Sequence, residues 1–290
     1  MRLTDKVAIV VGAGQQPGET IGNGRATAIR FAEEGAKVLL VDKNSDWATD
    51  TLKMIQDKGG VAQVQAADIT NESDCKDIAS ACLGHFGKID ILHNNVGRSE
   101  GDTTTVDMDP KIWDELMAMN LKGMFMTCKH VLPIMRKQKD GVIINISSIA
   151  SICSHNSITY KTGKGAVNTM THHLAMENAE FGVRANAILP GLMDTPMAIE
   201  RRAREQNVHR DEVRQGRHDR VPLLRKMGTA YDVANAAVFL ASDEAQYITG
   251  LIMPVDGGLS SSIGSVSYTH LRAHETREDR GCRRVLGKKK

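Results

Sequence analysis

The sequence predicts an α/β fold in which helices cover both faces of a parallel sheet. Three observations support this prediction. Short apolar runs of strand length alternate with longer segments of helical periodicity, as they do in β-α-β units. Most of the runs are apolar throughout, which is typical of parallel strands buried on both faces. A glycine-rich segment follows the first run directly, at the position where such folds turn from a strand into a helix.

Seven segments have the length and composition of buried strands. They cover residues 6–11, 37–42, 61–66, 89–94, 141–146, 183–188 and 250–255. Because β-α-β crossovers are right-handed, this succession predicts a doubly wound Rossmann-type sheet of seven parallel strands. The chain has no internal repeat and no linker that would divide it, so we expect a single domain over residues 1–263.

Helix signals fill the gaps between the strands. Apolar residues recur at i, i+4 and i+7 over residues 48–55, and the glycines at 59–60 end that helix. Asp109 followed by Pro110 is a strong helix start. Thr229 and Asp232 have the spacing of a capping box before another apolar stripe.

The composition excludes several classes of protein. With 290 residues and 41% apolar side chains, the chain can bury a large core without disulfides or metal. No apolar run approaches the roughly 20 residues that span a bilayer, and the N-terminus does not resemble a signal peptide. The five cysteines are scattered and form no C-x-x-C pair, and the one histidine doublet, His172-His173, is a poor metal pair. We expect a cytoplasmic protein with no metal site and no membrane partner.

Charge is distributed unevenly along the chain. The formal net charge is +2, but residues 266–290 contain eight Lys and Arg against three Asp and Glu. The remainder is mildly acidic, so nucleic acid is not an expected partner. The segment 264–290 lacks apolar periodicity and resembles a translated sequencing adaptor, and we predict that it is disordered and not native. A basic arm that binds nucleic acid is the alternative.

The glycine-rich segment at 11–25 predicts a cradle for phosphate. A strand precedes it and an apolar-periodic helix follows, and a helix N-terminus offers unpaired N–H groups to a pyrophosphate. The dinucleotide pattern G-x-G-x-x-G begins at Gly12 and Gly14, but Pro17 stands where the third glycine belongs. The cradle must therefore be longer than usual.

Asp42 is the expected acidic partner of this cradle. It ends the second strand, 18 residues beyond Gly24, close to the spacing of about 20 residues for an acid that holds a ribose. A carboxylate there accepts hydrogen bonds from the ribose hydroxyls and repels a 2′-phosphate, so the sequence favours NAD over NADP. Lys43 weakens this preference, because a cation would tolerate the phosphate.

Tyr160 and Lys164 form a Y-x-x-x-K motif. Residues at i and i+4 share a helix face, and a nearby ammonium lowers the pKa of a phenol from about 10 towards the range of a useful base. The motif recurs by chance, so its companions matter. Polar or glycine-containing segments follow other strands, where folds of this type bind ligands. These segments are 94–97 (NNVG), 145–148 (NISS) and 190–195 (PGLMDT).

Taken in order, these motifs resemble those of the short-chain dehydrogenase/reductase family over residues 4–260. The matching elements are the glycine loop, Asp68, NNVG, Asn120, NISS, YKTGK at 160–164, PGLMDT and VDGG at 255–258. The resemblance implies a catalytic set in which Tyr160 is the general acid/base and Lys164 binds the nicotinamide ribose and lowers the tyrosine pKa. It implies that Ser148 binds the substrate oxygen and that Asn120 holds a water in a proton relay.

The resemblance also implies where the cofactor binds. The implied contacts are Gly12, Gly22, Asn23, Gly24, Asp42, Asp68, Ile69, Asn94, Val96, Gly97, Tyr160, Lys164, Pro190, Gly191, Met193 and Thr195. Asp68 and Ile69 would flank the adenine, and Met193 and Thr195 would hold the nicotinamide end.

Two features depart from the family pattern. The glycine loop has six inserted residues within 15–21, which we interpret as a flap near the pyrophosphate or the adenosine. Ser148 lies 12 residues before Tyr160, whereas the commonest family spacing is 13 and would select Ser147. Alignment on the NISS motif favours Ser148.

The function implied is an NAD(H)-dependent oxidoreductase that interconverts a secondary alcohol and a ketone, as a homotetramer or homodimer built on helices around 111–137 and 160–181. A non-catalytic NAD-binding sensor and an NAD-dependent epimerase or dehydratase are the alternatives.

Residues 192–225 would form the lid over a small-molecule substrate. Its segment 200–220 has seven arginines and five acids, which we interpret as a solvated mixed-charge helix; a lid that attracts an anionic substrate is the alternative. His155 is either a substrate contact or an exposed loop residue.

Overall fold

The computed structural model describes residues 1–153 and 155–262. The predicted disordered tail, 264–290, lies outside the described residues. Seven parallel strands form one sheet in the order β3-β2-β1-β4-β5-β6-β9. They are β1 (Val7–Val11), β2 (Lys37–Asp42), β3 (Val61–Ala66), β4 (Ile91–Asn94), β5 (Gly141–Ile146), β6 (Val183–Pro190) and β9 (Ile252–Val255). The predicted doubly wound Rossmann-type fold with seven parallel strands is confirmed.

Helices connect the strands across both faces of the sheet. They are α1 (Asn23–Glu33), α2 (Ser45–Gln56), α3 (Glu72–Phe86), α4 (Pro110–Met117), α5 (Gly123–Gln138), α6 (Ile158–Asn178), α7 (Pro196–Gln206), α8 (Arg210–His218) and α9 (Ala230–Ala241). The expected starts are present: the Asp109 carboxylate accepts a hydrogen bond from the Lys111 N–H at 2.9 Å, and Thr229 and Asp232 form a capping box. Within the described residues, no helix is long and apolar enough to cross a membrane.

The sheet has an apolar core on each of its two faces, because successive side chains along each strand point to opposite faces. Ala8 and Val10 of β1 pack with α1 and α9 on one face. Val7, Ile9 and Val11 of the same strand pack with α3, α5 and α6 on the other. All five are buried, which explains why an apolar run without alternation predicted this strand correctly.

Strand order reverses direction between β1 and β4, and this switch point places the glycine loop opposite the segment after β4. A second, two-stranded sheet pairs β7 (Met193–Asp194) with β8 (Gly228–Thr229) beyond the carboxyl end of β6. Between them, α7 and α8 pack on a small apolar cluster that includes Ile199 and Val213. This segment corresponds to the expected lid at 192–225.

Candidate active site

A cleft of about 1140 Å³ opens at the carboxyl ends of the central strands. Most of the residues expected to bind cofactor or substrate line it. They are Gly12, Asn23, Gly24, Asp42, Asp68, Ile69, Val96, Gly97, Ser148, Tyr160, Lys164, Pro190, Gly191, Met193 and Thr195. The topology thus brings together segments that lie far apart in the sequence.

The glycine loop is a bare-backbone cradle. Gly12 has φ +80°, in the left-handed region that glycine tolerates. A Cβ at Gly24 would lie 1.9 Å from the Gly12 carbonyl oxygen, so the first turn of α1 packs directly against the end of β1. Asn95 donates from Nδ2 to the same carbonyl at 3.2 Å. These contacts bring the N-terminus of α1 to the cleft, close to the end of β1, which suits a dinucleotide phosphate.

Asp42 lies at the far end of this cradle, at the end of β2. Its carboxylate accepts hydrogen bonds from the N–H groups of Gly14 and Asn44, each at 3.0 Å. Burial raises the pKa of Asp42, and these backbone hydrogen bonds oppose the rise. The neighbouring cation is engaged elsewhere, because Lys43 Nζ forms an ion pair with Asp68 at 2.6 Å.

The inserted part of the loop reaches further than expected. Gln15 folds back, accepting from the Gly22 N–H at 2.7 Å and donating to the Thr20 carbonyl at 3.1 Å. Gly22 therefore faces Gln15 and is not among the residues that line the cleft, so its cofactor contact stays a prediction. A Cβ at Gly18 would lie 2.7 Å from Pro196, and Glu19 pairs with Arg210 of α8. The insertion contacts the lid and not only the cofactor end of the cleft.

Tyr160 and Lys164 lie one turn apart at the start of α6. Lys164 is fully buried, donates from Nζ to the Ile146 carbonyl at 2.7 Å, and lies 5.8 Å from the centre of the Tyr160 ring. Burial lowers the pKa of Lys164 to about 7. Removal from solvent raises the pKa of Tyr160, while a hydrogen bond with Ser148 and the charges of Arg202 and Arg201 lower it.

The two candidate serines have different partners. Ser147 is buried and donates from Oγ to the Lys164 carbonyl at 2.9 Å, so it fixes the helix that carries the motif. Ser148 lines the cleft beside Tyr160. The geometry favours Ser148 as the residue that meets a substrate oxygen.

Asn120 lies behind the cleft wall, in a π-helical turn (Ala118–Lys122) between α4 and α5. Its carboxamide donates to the Arg98 carbonyl and accepts from the Arg98 N–H, both at 2.9 Å. A Cβ at Gly97 would lie 2.8 Å from Lys164 Nζ and 3.1 Å from Asn120 Oδ1, so a side chain at this position would displace the Lys164 ammonium. π-helical turns occur frequently at functional sites.

Asn94 does not reach the cleft. It is buried, accepts from Thr127 Oγ at 2.8 Å and donates to Asn145 Oδ1 at 3.0 Å, and Asn145 donates to Thr171 at 3.0 Å. This network joins β4 and β5 to α5 and α6, and it corrects the expected cofactor contact. Successive strand residues face opposite sides, so the next residue, Asn95, lines the cleft instead.

Comparisons with known proteins agree with this geometry. A family model described as enoyl-(acyl carrier protein) reductase matches residues 19–260. A crystal structure from Burkholderia xenovorans, assigned to the short-chain dehydrogenases/reductases, superimposes with a TM-score of 0.82 at 38% identity, covering 90% of this chain and 98% of that one. The chain belongs to the short-chain dehydrogenase/reductase family.

Two further similar proteins have names that state the chemistry they perform. 2-(R)-hydroxypropyl-CoM dehydrogenase of Xanthobacter autotrophicus is 36% identical over 88% of this chain and 99% of its own length. A 7α-hydroxysteroid dehydrogenase solved with NADH and 7-oxo glycochenodeoxycholic acid has a TM-score of 0.78 at 32% identity, over 89% of this chain and 95% of that one. Like its relatives, this chain is an oxidoreductase of the alcohol dehydrogenase and ketoreductase type, and its family binds a nicotinamide cofactor.

The residues present fit such a cofactor. The N-terminus of α1, which has no side-chain cap and packs against Gly12, offers its first N–H groups to the pyrophosphate, and Asp42 offers acceptor oxygens to a ribose. Lys164 and Gly97 lie at the other end of the same cleft, where the family's Y-x-x-x-K lysine holds the second ribose. Gln15 and Gln16 of the insertion line the same cleft, and Gln15 folds towards Gly22.

One residue that holds the helix of this dehydrogenase's tyrosine, Asp102, has no signal in the sequence. Asp102 accepts hydrogen bonds from the N–H groups of Thr159 at 3.1 Å and Tyr160 at 2.6 Å, and so caps α6 from a distant loop. The local cap position, Ser157, makes no side-chain cap hydrogen bond. A cap supplied 58 residues away leaves no local sequence signal.

The arginine-rich segment 200–220 of this dehydrogenase's lid is also less solvated than the interpretation as a solvated mixed-charge helix implies. Four of its arginines line the cleft: Arg201, Arg202, Arg217 and Arg220. His155 lines the cleft as well, with its ring centre 5.9 Å from that of Tyr160, and burial lowers its pKa. The segment 200–220 is therefore not simply a solvated mixed-charge helix.

Proposed function

We propose that the protein is an NAD(H)-dependent oxidoreductase that interconverts a secondary alcohol and a ketone. The observation that carries the proposal is the convergence of Tyr160, Lys164 and Ser148 on one wall of a cleft whose other end is a glycine cradle. The preference for NAD rests on Asp42, whose carboxylate would repel a 2′-phosphate, and on Lys43, whose charge is paired with Asp68.

The catalytic residues would act on the substrate oxygen and its proton. The nicotinamide, when bound, supplies or accepts the hydride. Tyr160 gives the proton to a ketone oxygen or removes it from an alcohol, as a general acid/base. Ser148 donates a hydrogen bond to that oxygen and stabilises the charge that develops on it. Lys164, as an ammonium, favours the phenolate and holds the nicotinamide ribose, and Asn120 orders the segment at 97–98 beside it.

The pH dependence follows from these roles. Alcohol oxidation needs the phenolate of Tyr160, so its rate rises with pH, while ketone reduction needs the phenol and falls with pH. Burial lowers the pKa of Lys164 to about 7, so the side chain loses its positive charge readily near neutral pH. Binding of a negatively charged group close by is expected to raise that pKa.

The test is absorbance of NADH on mixing the full chain with NAD or NADP and a panel of secondary alcohols, in parallel with Tyr160→Phe. The expected result is NADH formation that depends on Tyr160, with a loss of about 10²- to 10⁴-fold in kcat for the variant. Tyr231→Phe, on α9 outside the cleft, is the matched control. Cofactor binding without turnover of any alcohol would favour the sensor, epimerase and dehydratase alternatives.

The site residues, the domain limits and the assembly are part of the same proposal. The domain would cover residues 1–263, with 192–225 as its substrate lid. A homotetramer or homodimer would bury an apolar groove lined by Met117, Leu121, Phe125 and Met170 of α4 to α6, where Phe125 is 51% exposed. A cytoplasmic location is supported by the cysteines, which are unpaired thiols at all four described positions.

A further inference from the structure

The arginines of the lid divide into two groups with different surroundings. On the outer side, Arg210 and Arg214 form ion pairs with carboxylates, including Glu19 and Asp194. On the inner side, Arg201, Arg202, Arg217 and Arg220 line the cleft that contains Tyr160. The ion pairs of the outer arginines account for their positions. The inner arginines have few such pairs, so their position in the cleft needs a separate explanation.

The inner arginines have few partners. Within residues 1–153 and 155–262, Arg202, Arg217 and Arg220 form no ion pair, and Arg201 has only Glu205, 3.5 Å away on its own helix. Arg201 donates to Ser99 Oγ at 3.2 Å, and Arg202 donates to the Ala198 carbonyl at 3.0 Å. The Nε groups of Arg201 and Arg217 are buried without a hydrogen-bond partner among these residues.

Such a cluster is costly in the absence of an anion. Burial, together with the charges of Arg202 and Arg220, lowers the pKa of Arg217 to about 9. Buried charges in proteins are normally paired, because unpaired ones lose solvation without compensation. Guanidinium groups bind carboxylate, phosphate and sulfonate oxygens in bidentate fashion, so one oxyanion could satisfy several of these donors at once.

The position of the cluster assigns the anion to the substrate. Arg202 and Arg201 are close enough to Tyr160 for their charges to lower its pKa, and the bond from Arg201 to Ser99 holds it beside the segment after β4. The carboxylates among the described residues that line the cleft are Asp42, Asp68 and Glu100. Asp42 accepts from the Gly14 N–H and Asp68 pairs with Lys43, while Glu100 is exposed.

We propose that the substrate is a secondary alcohol or ketone that carries an oxyanion, such as a carboxylate, phosphate or sulfonate, which Arg201, Arg202, Arg217 and Arg220 bind. This proposal rests on the dehydrogenase function proposed above. The reaction itself is unchanged: the anion anchors the molecule, and the carbon that exchanges hydride is presented to Tyr160 and Ser148.

Binding can be tested without turnover. Inorganic sulfate is titrated into the full chain at constant ionic strength, balanced with chloride, and the thermal unfolding midpoint is followed. The wild type should show a saturable rise that weakens at least 10-fold in Arg202→Met and in Arg217→Met. Arg204→Met is the matched control, because Arg204 is exposed on the same helix as Arg202. Equal sulfate responses in all four proteins would overturn the proposal.

Kinetics then identify the molecule that carries the anion. Secondary alcohols ending in a carboxylate, phosphate or sulfonate are compared with their neutral methyl esters or amides. The charged members should have a kcat/KM at least 10-fold higher. Arg202→Met should reduce this preference for the charged members by about 10- to 100-fold, leaving the KM for NAD unchanged. A higher KM for NAD with no loss of charge preference would assign the cluster to the cofactor pyrophosphate and overturn the proposal.

The two proposals fail in different ways. If no alcohol or ketone of either kind exchanges hydride with a nicotinamide cofactor, the dehydrogenase function is wrong, while the sulfate titration still decides whether the arginines form an anion site. If hydride exchange is rapid with neutral substrates and indifferent to Arg202 and Arg217, the function stands and the anion proposal falls.

Discussion

The two ends of the cleft offer opposite chemistry to the ligands proposed for them. At the cofactor end, backbone N–H groups of the glycine loop lie next to the carboxylates of Asp42 and Asp68. At the substrate end, long cationic side chains from α7 and α8 face the tyrosine. The first end is built from short loops directly after strands, and the second from a segment that packs over the sheet from the far part of the chain.

This difference determines which residues at each end of the cleft can be substituted without moving the main chain. Glycine positions such as Gly24, where a Cβ would meet backbone at 1.9 Å, admit no substitution without moving the main chain. The arginines of the lid have no such constraint, since their side chains reach the cleft from two exposed helices. Cofactor recognition is therefore fixed by the fold, whereas substrate recognition depends on which side chains the lid carries.

Replacing Asp42 should produce the largest effect at the cofactor end. In Asp42→Ala the ribose loses its acceptor and a 2′-phosphate is no longer repelled, so the ratio of kcat/KM for NAD over NADP should fall by about 10- to 100-fold. The charge preference among substrates should not move, because the arginines lie at the other end. Steady-state kinetics with both cofactors measure the ratio, and Asp46→Ala on the exposed surface of α2 is the control. An unchanged ratio would contradict the assignment of Asp42.

Replacing Asp102 should have a smaller effect, confined to the substrate end. Asp102→Ala leaves the N–H groups of Thr159 and Tyr160 without their cap, and the first turn of α6 loses about 1 kcal/mol of stability. The tyrosine is then held less well, so kcat should fall about 10-fold while the dissociation constant of NAD is unchanged.

Two further variants separate positioning from general destabilisation. Asp102→Asn keeps an acceptor oxygen and should recover part of the lost kcat. Asp107→Ala, at an exposed site in the same loop, should leave kcat near the wild-type value. A loss of stability without loss of kcat in Asp102→Ala would show that the cap does not position Tyr160.

The cofactor end was largely predictable from the sequence, and the substrate end was not. Strand, glycine loop and following acid are local signals, so the sheet was predicted correctly and most of the residues expected in the cradle line the cleft. Asn94 was misplaced because a doublet of asparagines does not reveal which one faces the cleft when strand residues alternate. The packing of Gly22 against Gln15 could not be predicted, because family spacing does not encode the path of an insertion.

The substrate end depends on contacts between distant segments. Asp102 acts across 58 residues, and the arginines of the lid have the composition of a solvated helix until the packing of α7 on α8 is known. Charge composition alone could not separate Arg210, which pairs with Glu19, from Arg217, which faces the cleft. The distinction is a matter of helix face, set by the apolar cluster around Ile199 and Val213.

The insertion joins the two ends of the cleft, and breaking this connection should give the smallest effect. Glu19 pairs with Arg210 and Arg214 of α8, and these groups are partly exposed, so the contacts are weakened by solvent and salt. In Glu19→Gln the insertion holds α8 less firmly beside the cleft, which should raise the KM of the substrate by about two- to threefold at low salt and by less at high salt. Glu212→Gln, which removes an exposed acid of α8, controls for net charge. A rise in the KM of NAD alone would mean that the insertion serves the cofactor end and not the lid.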